Sequence, residues 1–216
     1  GAIIHWCGDD VKGEQIPEIA EGLRREGRKV YVIPFGGTNA VGVLGFVAAI
    51  AELEEQMTVL KEKIDCLVLP SGSGGTQAGI AVGTDICELS MRTVGIAIDR
   101  GDPGNPTFES RLTLLANEVA EKLEVGLKYT EADFTLRYEY FGGGYEVVGN
   151  LEREAIRLVA QNEGVLLDPV YTGRAMGGLI SMIRNGEFST GDTVLFWHTG
   201  GAPAIFGHAR ELMVDS

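Results

Sequence analysis

Hydroxyl side chains and glycines alternate in one short stretch of this chain, which reads Ser-Gly-Ser-Gly-Gly-Thr over residues 71–76. The stretch follows the apolar run 66–69 and precedes small residues that favour the start of a helix. Where a strand leads through a glycine-rich loop into a helix, unpaired backbone N–H groups converge and the helix dipole attracts negative charge. Glycines let the backbone approach a ligand closely, and the hydroxyls of Ser71, Ser73 and Thr76 add hydrogen-bond donors. The stretch therefore predicts a phosphate-binding loop.

Three kinds of phosphate ligand are considered for such a loop. A nucleoside triphosphate loop needs a lysine followed by serine or threonine after its second glycine, and this chain has no lysine between Lys63 and Lys122. A dinucleotide loop needs a third glycine where this chain has Gln77, although Asp99 ends the next predicted strand, where a ribose-binding acid would stand. The third ligand is a phosphate-bearing cofactor such as pyridoxal phosphate, held by a neutral, hydroxyl-rich loop. The last two interpretations remain open, with the dinucleotide as the weaker one.

The composition of the 216 residues limits the class of protein. The chain is 44% hydrophobic and 23% charged, as expected for a folded domain rather than a disordered chain. Its net charge of −13 disfavours nucleic acid and anionic membrane surfaces, so we expect neither as a partner. The three cysteines lack Cys-x-x-Cys spacing, which predicts reduced thiols in a cytoplasmic protein and no metal site.

Apolar runs and amphipathic segments alternate along the chain. The apolar runs predict strands over residues 2–7, 30–33, 65–70, 93–98, 134–140 and 193–198. Helical periodicity and small-residue segments predict helices over residues 14–26, 40–57, 76–90, 105–124, 150–163 and 174–185. This alternation indicates an α/β fold with an open, mostly parallel twisted sheet and helices on both faces. The glycine-rich turns follow strands, so we expect them to meet at the carboxyl edge of the sheet, where ligands bind.

Motifs of one known family stand in matching order at residues 33–45, 71–79, 168–176 and 198–203. On these motifs the chain resembles the D-cysteine desulfhydrase and aminocyclopropane-carboxylate deaminase family. Members of that family are pyridoxal-phosphate enzymes with the tryptophan-synthase β-like fold, called fold type II. The resemblance implies a large cofactor-binding domain over residues 29–216 and the C-terminal part of the small domain over residues 1–28.

The resemblance also implies a role for each matching residue. Tyr171 and Tyr145 would be catalytic residues that flank the substrate, and a phenol needs a positive or hydrogen-bonded neighbour to act as a base near neutral pH. Thr199 would face the pyridine nitrogen, where a neutral hydroxyl suits elimination with limited side reactions. The residues implied to bind pyridoxal 5'-phosphate are Ser71, Gly72, Ser73, Gly74, Gly75, Thr76, Thr172, Thr199 and Gly200.

Thr172 distinguishes the branches of the family. The deaminase branch carries an acidic residue after the tyrosine that matches Tyr171, whereas Tyr171-Thr172 resembles the desulfhydrase branch. The implied reaction is α,β-elimination from D-cysteine, which gives pyruvate, ammonia and sulfide. An L-cysteate sulfo-lyase, a 1-aminocyclopropane-1-carboxylate deaminase and a non-catalytic cofactor-binding remnant remain alternatives. The partners implied are a small amino-acid substrate and a second copy of the chain in a homodimer.

The lysine that binds the cofactor covalently in this family lies in a Gly-Asn-Lys context, and the chain has no counterpart to it or to the Ser-Asn-His segment that follows it. The lysines of this chain stand in polar helical or turn contexts at positions Lys12, Lys29, Lys61, Lys63, Lys122 and Lys128. Because the chain also starts without methionine, we expect residues 1–216 to be the C-terminal part of a longer enzyme, inactive without its N-terminal portion.

Overall fold

The computed structural model describes residues 1–6, 13–98 and 107–213. Within these residues a parallel sheet has the strand order β3-β2-β1-β4. The strands are β1 Cys66–Ser71, β2 Arg92–Ala97, β3 Thr135–Arg137 and β4 Val194–Phe196. The helices are α1 Ile16–Arg25, α2 Ala40–Leu60, α3 Gly75–Ile86, α4 Phe108–Lys122, α5 Asn150–Glu163, α6 Thr172–Arg184, and the short α7 Ala204–Gly207 and α8 Ala209–Leu212.

Strand β1 is one of the two inner strands of the sheet, and all of its residues are buried. Its side chains alternate between two apolar clusters. Cys66 and Val68 join a cluster with residues of α6, whereas Leu67 and Leu69 join a cluster with residues of α2 and α3. A run that is apolar on both faces is typical of a parallel strand covered on both sides. The prediction of a parallel sheet with helices on both faces is therefore confirmed.

Local signals determine where several helices begin and end. The Asn39 side chain accepts hydrogen bonds from the first N–H groups of α2, and the Thr107 hydroxyl accepts one from Ser110 N in α4 at 3.1 Å. Such caps satisfy donors that have no partner inside the helix. Helix α5 ends at Gly164, whose φ of 67° lies in the left-handed region that glycine adopts readily.

Helices α2 and α3 approach closely because glycines of α3 face α2. A Cβ added at Gly83 would lie 2.7 Å from Ile50 Cβ and 3.1 Å from Val47 O. A Cβ at Gly79 would lie 2.6 Å from Phe46 Cβ. These distances are shorter than van der Waals contact, so only glycine fits at either position without a shift of α2. These two glycines thus let α2 pack closely against α3.

Two predicted strands, 2–7 and 30–33, are wrong in the residues that the structure describes. Residues 1–6 and 28–34 have no regular secondary structure. Trp6 exposes 90% of its surface and Tyr31 exposes 70%. An apolar run becomes a strand only where a neighbouring strand supplies hydrogen bonds, and no described strand pairs with either run. Cys7, the last residue of the first run, lies outside the described residues.

Two further properties concern the described residues only. No helix there is both long enough and apolar enough to cross a membrane. Those residues also contain no group of three or more His, Cys, Asp or Glu side chains arranged to hold a metal ion. Cys66 is buried, Cys87 is half-buried, and both are free thiols.

We expect Gly83→Ala to destabilise the protein, because the added methyl group would overlap Ile50. Overpacking costs about 1–3 kcal/mol and the better helix propensity of alanine returns about 1 kcal/mol, so we expect a net loss of up to about 2 kcal/mol. Gly45→Ala on α2 is the matched control, since a Cβ there would meet no atom within 4 Å. We expect that control to gain about 0.5–1 kcal/mol. Urea unfolding measures both, and equal midpoints would contradict the close contact of the two helices.

Candidate active site

The glycine-rich loop of residues 71–76 lies where β1 ends and α3 begins, as the sequence predicts. It is called the phosphate loop below, after its predicted ligand. Gly74 caps the 12-residue helix α3 with a φ of 94°, a backbone conformation that favours glycine. A Cβ at Gly74 would also lie 3.0 Å from Leu112 Cδ2. The N–H groups of the first turn of a helix have no partner inside the helix, and the helix dipole adds partial positive charge there. The loop therefore presents the end of a helix that attracts anions.

The three hydroxyl groups of the loop have different surroundings. Ser71 is 2% exposed, and its Oγ is buried without a hydrogen-bond partner among the described residues. Ser73 Oγ accepts a hydrogen bond of 2.6 Å from Thr38 Oγ1, which leaves the Ser73 proton free to bond a ligand. Thr76 is half-buried on the first turn of α3. A buried hydroxyl without a partner calls for an explanation, and a bound anion supplies one.

A second glycine turn packs on the phosphate loop. It contains a 3₁₀ turn at Phe35–Gly37 and leads into α2 through Thr38 and Asn39. A Cβ added at Gly36 would lie 2.7 Å from Ser73 Oγ, so a larger residue at this position would push against the loop. The sequence indicated this turn as a motif but did not indicate the contact between Thr38 and Ser73.

The two predicted catalytic tyrosines lie side by side. Tyr145 Oη and Tyr171 Oη are 2.8 Å apart, and the two rings meet edge to face with centroids 6.2 Å apart. The Tyr171 ring borders the phosphate loop, because a Cβ at Gly72 would lie 3.3 Å from Tyr171 Cε1. The structure thus brings together the loop after β1 and two tyrosines from separate parts of the chain.

The surroundings of Tyr171 favour its neutral form. Burial raises the pKa of the Tyr171 phenol, and the hydrogen bond with Tyr145 raises it further. The carboxylates of Asp168 and Glu146 act in the same direction, because they repel a phenolate. At neutral pH the Tyr171 hydroxyl therefore carries its proton and can donate a hydrogen bond. In this state it is not a general base.

A buried carboxylate, Asp168, organises the turn before α6. It is 1% exposed. Asp168 Oδ2 accepts hydrogen bonds from Val170 N and Tyr171 N, both at 2.8 Å. Asp168 Oδ1 accepts hydrogen bonds from Thr172 N and Thr172 Oγ1, both at 2.7 Å. Asp168 thus fixes the backbone of a candidate catalytic residue, Tyr171.

The hydroxyl of Thr172 is occupied inside the same turn. Besides donating to Asp168 Oδ1, Thr172 Oγ1 accepts a hydrogen bond of 2.8 Å from Asp168 N, and the side chain is fully buried. Its predicted contact with a cofactor stays a prediction. The contacts that the structure gives Thr172 stabilise the Asp168 turn.

The predicted residues Thr199 and Gly200 follow β4 at the same edge of the sheet. The chain stays in register past β4, because Trp197 N donates to Val68 O of β1 at 2.8 Å. The next turn then reaches the Asp168 turn: Gly201 has a φ of 95°, and a Cβ there would lie 2.8 Å from Asp168 Cγ. The side chain of Thr199 is exposed.

His198 has a structural role, since both of its ring nitrogens contact backbone groups. Nδ1 accepts a hydrogen bond of 3.0 Å from Gly200 N, so in the neutral ring Nε2 donates to Leu166 O, 3.1 Å away. These contacts fix the turn that carries Thr199. They give no indication of a role as a base.

The structure adds no support for a dinucleotide as the ligand of the phosphate loop. Gln77, which replaces the third glycine of that pattern, is 1% exposed, and its Nε2 donates to Thr135 O at 3.1 Å. Its side chain thus fills the space between α3 and the sheet. Asp99, the predicted ribose-binding acid, lies outside the described residues.

Several known proteins are similar to this chain. Residues 1–200 match the family described as pyridoxal-phosphate dependent enzyme. A D-cysteine desulfhydrase from Klebsiella pneumoniae is 40% identical over 199 residues, which make up 92% of this chain and 58% of that protein. A Pyrococcus horikoshii protein provisionally named a 1-aminocyclopropane-1-carboxylate deaminase is 41% identical over 196 residues, which make up 91% of this chain and 57% of that protein.

Solved structures share the fold. The crystal structure described as that of the ACC deaminase homologue has a TM-score of 0.84 and 39% identity, with 96% of this chain and 61% of that chain covered. An L-serine ammonia-lyase from Rhizomucor miehei has a TM-score of 0.55 at 16% identity over 89% of this chain and 62% of that chain. The second likeness concerns the fold alone, and together the two confirm the predicted fold class. This chain spans less than two thirds of the length of each of these relatives.

We expect Asp168→Asn to lower the free energy of unfolding by about 2–3 kcal/mol, because an amide nitrogen would face backbone N–H donors. Asp192→Asn is the matched control, since the Asp192 carboxylate accepts one hydrogen bond, from Ser189 N at 2.8 Å, in an exposed turn. For the control we expect a loss below about 1 kcal/mol. Urea unfolding compares the two, and similar losses would show that Asp168 does not organise its turn.

Proposed function

This chain belongs to the pyridoxal-phosphate-dependent enzyme family, and on that premise we propose that the complete enzyme is a lyase for a small sulfur-containing amino acid. The proposed reaction is α,β-elimination of sulfide from D-cysteine, after which one water hydrolyses the remaining imine to pyruvate and ammonia. One observation carries the proposal: the Tyr145–Tyr171 pair lies beside the phosphate loop at the start of α3. A glycine- and hydroxyl-rich loop at the start of a helix and a pair of phenols thus lie at one edge of the sheet.

The residues of the loop fit the phosphate group of pyridoxal phosphate. The first turn of α3 offers backbone N–H groups, Ser73 has a free hydroxyl proton, and the buried Ser71 Oγ lacks a partner among the described residues. We propose that residues 71–76 hold the phosphate and that the turn with Thr199 and Gly200 borders the ring. When bound, the cofactor supplies an electron sink for the bonds that break at the substrate.

Tyr171 is proposed to assist the departure of the leaving group. In α,β-elimination Cα loses its proton, a Cα–Cβ double bond forms, and the Cβ–S bond breaks. Sulfur leaves with the bonding electron pair, so negative charge develops on sulfur. A phenol with a raised pKa keeps its proton and can donate a hydrogen bond from Tyr171 Oη to that charge. Tyr145 Oη, 2.8 Å away, would fix the direction in which that proton points.

Thr172 supports a desulfhydrase rather than a deaminase. The relatives of both kinds are similar to this chain to the same degree, so sequence identity does not choose between them. Thr172 Oγ1 lies 2.7 Å from Asp168 Oδ1 inside a buried turn. An acidic side chain at this position would bring a second carboxylate against Asp168, which like-charge repulsion disfavours. The turn in this chain therefore suits a neutral residue.

We further propose that the lysine that binds the cofactor covalently is not among the lysines of this chain. The described lysines are exposed. Lys61 and Lys63 precede β1, at the amino edge of the sheet, opposite the edge where the phosphate loop lies. Lys12 lies outside the described residues.

We expect Ser73→Ala in the complete enzyme to weaken pyridoxal phosphate binding about 10- to 100-fold, since a hydrogen bond to a charged group contributes about 1.5–3 kcal/mol. Pyridoxal, which lacks the phosphate, is the control ligand, and its affinity is expected to stay unchanged. Calorimetric titration measures both. Equal weakening of the two ligands would contradict the assignment of the loop.

The reaction is tested by supplying the complete enzyme and pyridoxal phosphate with D-cysteine, L-cysteate or 1-aminocyclopropane-1-carboxylate. We expect pyruvate and sulfide from D-cysteine, and a kcat about 10²–10⁴-fold lower in Tyr171→Phe. Tyr129→Phe is the control, because the Tyr129 hydroxyl donates a hydrogen bond of 2.8 Å to Asp85 Oδ2 and is not part of the loop. We expect the kcat of this variant to be unchanged. Sulfite from L-cysteate alone, or 2-oxobutanoate from the cyclopropane substrate alone, would contradict the proposed substrate.

A further inference from the structure

Helix α6 carries a fully buried arginine one turn after Tyr171. Arg174 is 0% exposed. Its Nε donates to Glu152 Oε1 at 2.7 Å, and its Nη2 donates to Val147 O at 2.9 Å. The guanidinium also lies 5.5 Å from the centre of the Phe141 ring. Burial of charged groups is costly even when they are paired, so the position of this pair beside one loop calls for a reason.

Glu152 extends the same set of contacts from α5. Its side chain is 2% exposed, and its Oε2 accepts a hydrogen bond of 2.8 Å from Gly149 N. The ion pair therefore binds the loop of residues 141–149 at both ends. Phe141 lies at the beginning of this loop, and Gly149 lies at its end.

The loop between these attachments has no helix or strand to define its shape. Gly142, Gly144 and Glu146 have φ angles of 63°, 135° and 61°. A positive φ is uncommon for a residue such as Glu146, and such conformations persist where surrounding contacts enforce them. Tyr145, next to Glu146, therefore depends on contacts from outside the loop for its position.

We propose that Arg174 and Glu152 are positioning residues that hold Tyr145 in contact with Tyr171, an inference that rests on the function proposed for the two tyrosines. Helix α6 follows directly on Tyr171 and fixes, through Arg174, the loop that presents the other phenol. An apolar pair would fill the same space but would leave the Val147 carbonyl and the Gly149 N–H without these partners. The charged pair therefore selects one position of the loop.

The first test uses the complete enzyme without cofactor, labelled with 3-fluorotyrosine and observed by ¹⁹F NMR. Tyr145→Phe and Tyr171→Phe assign the two resonances of interest. The test variant is Arg174→Met/Glu152→Leu, because buried ion pairs often tolerate the removal of both charges together. In this double variant we expect the Tyr171 resonance to move to its position in Tyr145→Phe, because both variants remove the contact with the Tyr145 hydroxyl.

The chain offers a matched control between the same two helices. Arg184 Nη2 lies 2.6 Å from Glu154 Oε1, with side chains 58% and 52% exposed. We expect Arg184→Met/Glu154→Leu to leave the Tyr145 and Tyr171 resonances in place. If the Arg174/Glu152 double variant folds and keeps both resonances at their original positions, the proposal is overturned. If the double variant does not fold, Arg174→Lys replaces it, since lysine keeps the charge but cannot bridge Glu152 and Val147 O. We expect the same shift of the Tyr171 resonance in that variant, and an unchanged resonance would overturn the proposal.

The second test uses the complete enzyme with pyridoxal phosphate. We expect the Arg174/Glu152 double variant to lose as much kcat as Tyr145→Phe, and the combination of both changes to lose no more than either alone. Additive losses would overturn the proposal, because they would mean that the ion pair does not act through Tyr145. The NMR test involves neither cofactor nor substrate, so a failure of the proposed lyase function would leave its outcome unaffected.

Discussion

The carboxylate of Asp168 is the interaction on which the candidate site depends. It accepts hydrogen bonds from three backbone N–H groups and one hydroxyl within a single buried turn. The turn after β4 packs against the same residue, because a Cβ at Gly201 would lie 2.8 Å from Asp168 Cγ and only glycine fits there. The turn also places Tyr171 beside Gly72 of the phosphate loop. One charged group thus links segments that follow β1, α5 and β4.

The two ends of the proposed substrate site are built in different ways. At the phosphate end, α3 starts with glycines, and further glycines at Gly79 and Gly83 let α2 pack against it without side chains between them. At the other end, Asp168 bonds the backbone of Tyr171, and Arg174 bonds the loop that carries Tyr145. Glycines therefore allow the close packing of two helices at one end, whereas charged side chains set the geometry at the other.

The sequence was most informative where one local pattern determined one element. The run 66–69 and the glycines after it predicted β1 and the start of α3, because burial on both faces and an N-terminal anion site each leave a local pattern. The strand predictions at 2–7 and 30–33 were wrong, since an apolar pattern does not reveal whether a partner strand exists. Periodicity also could not reveal the pairing of Arg174 with Glu152, because a charged residue in a helix usually faces solvent.

The placement of Tyr171 and Arg174 at the start of one helix has a mechanical consequence. Arg174 ties the loop of Tyr145 to α6, so a rigid-body displacement of α6 would carry both phenols together. The distance between the two hydroxyl groups would be preserved, while their distance from the phosphate loop, which belongs to β1 and α3, would change. The distance between the tyrosine pair and the phosphate loop and the geometry of the pair itself are therefore separate variables in this fold.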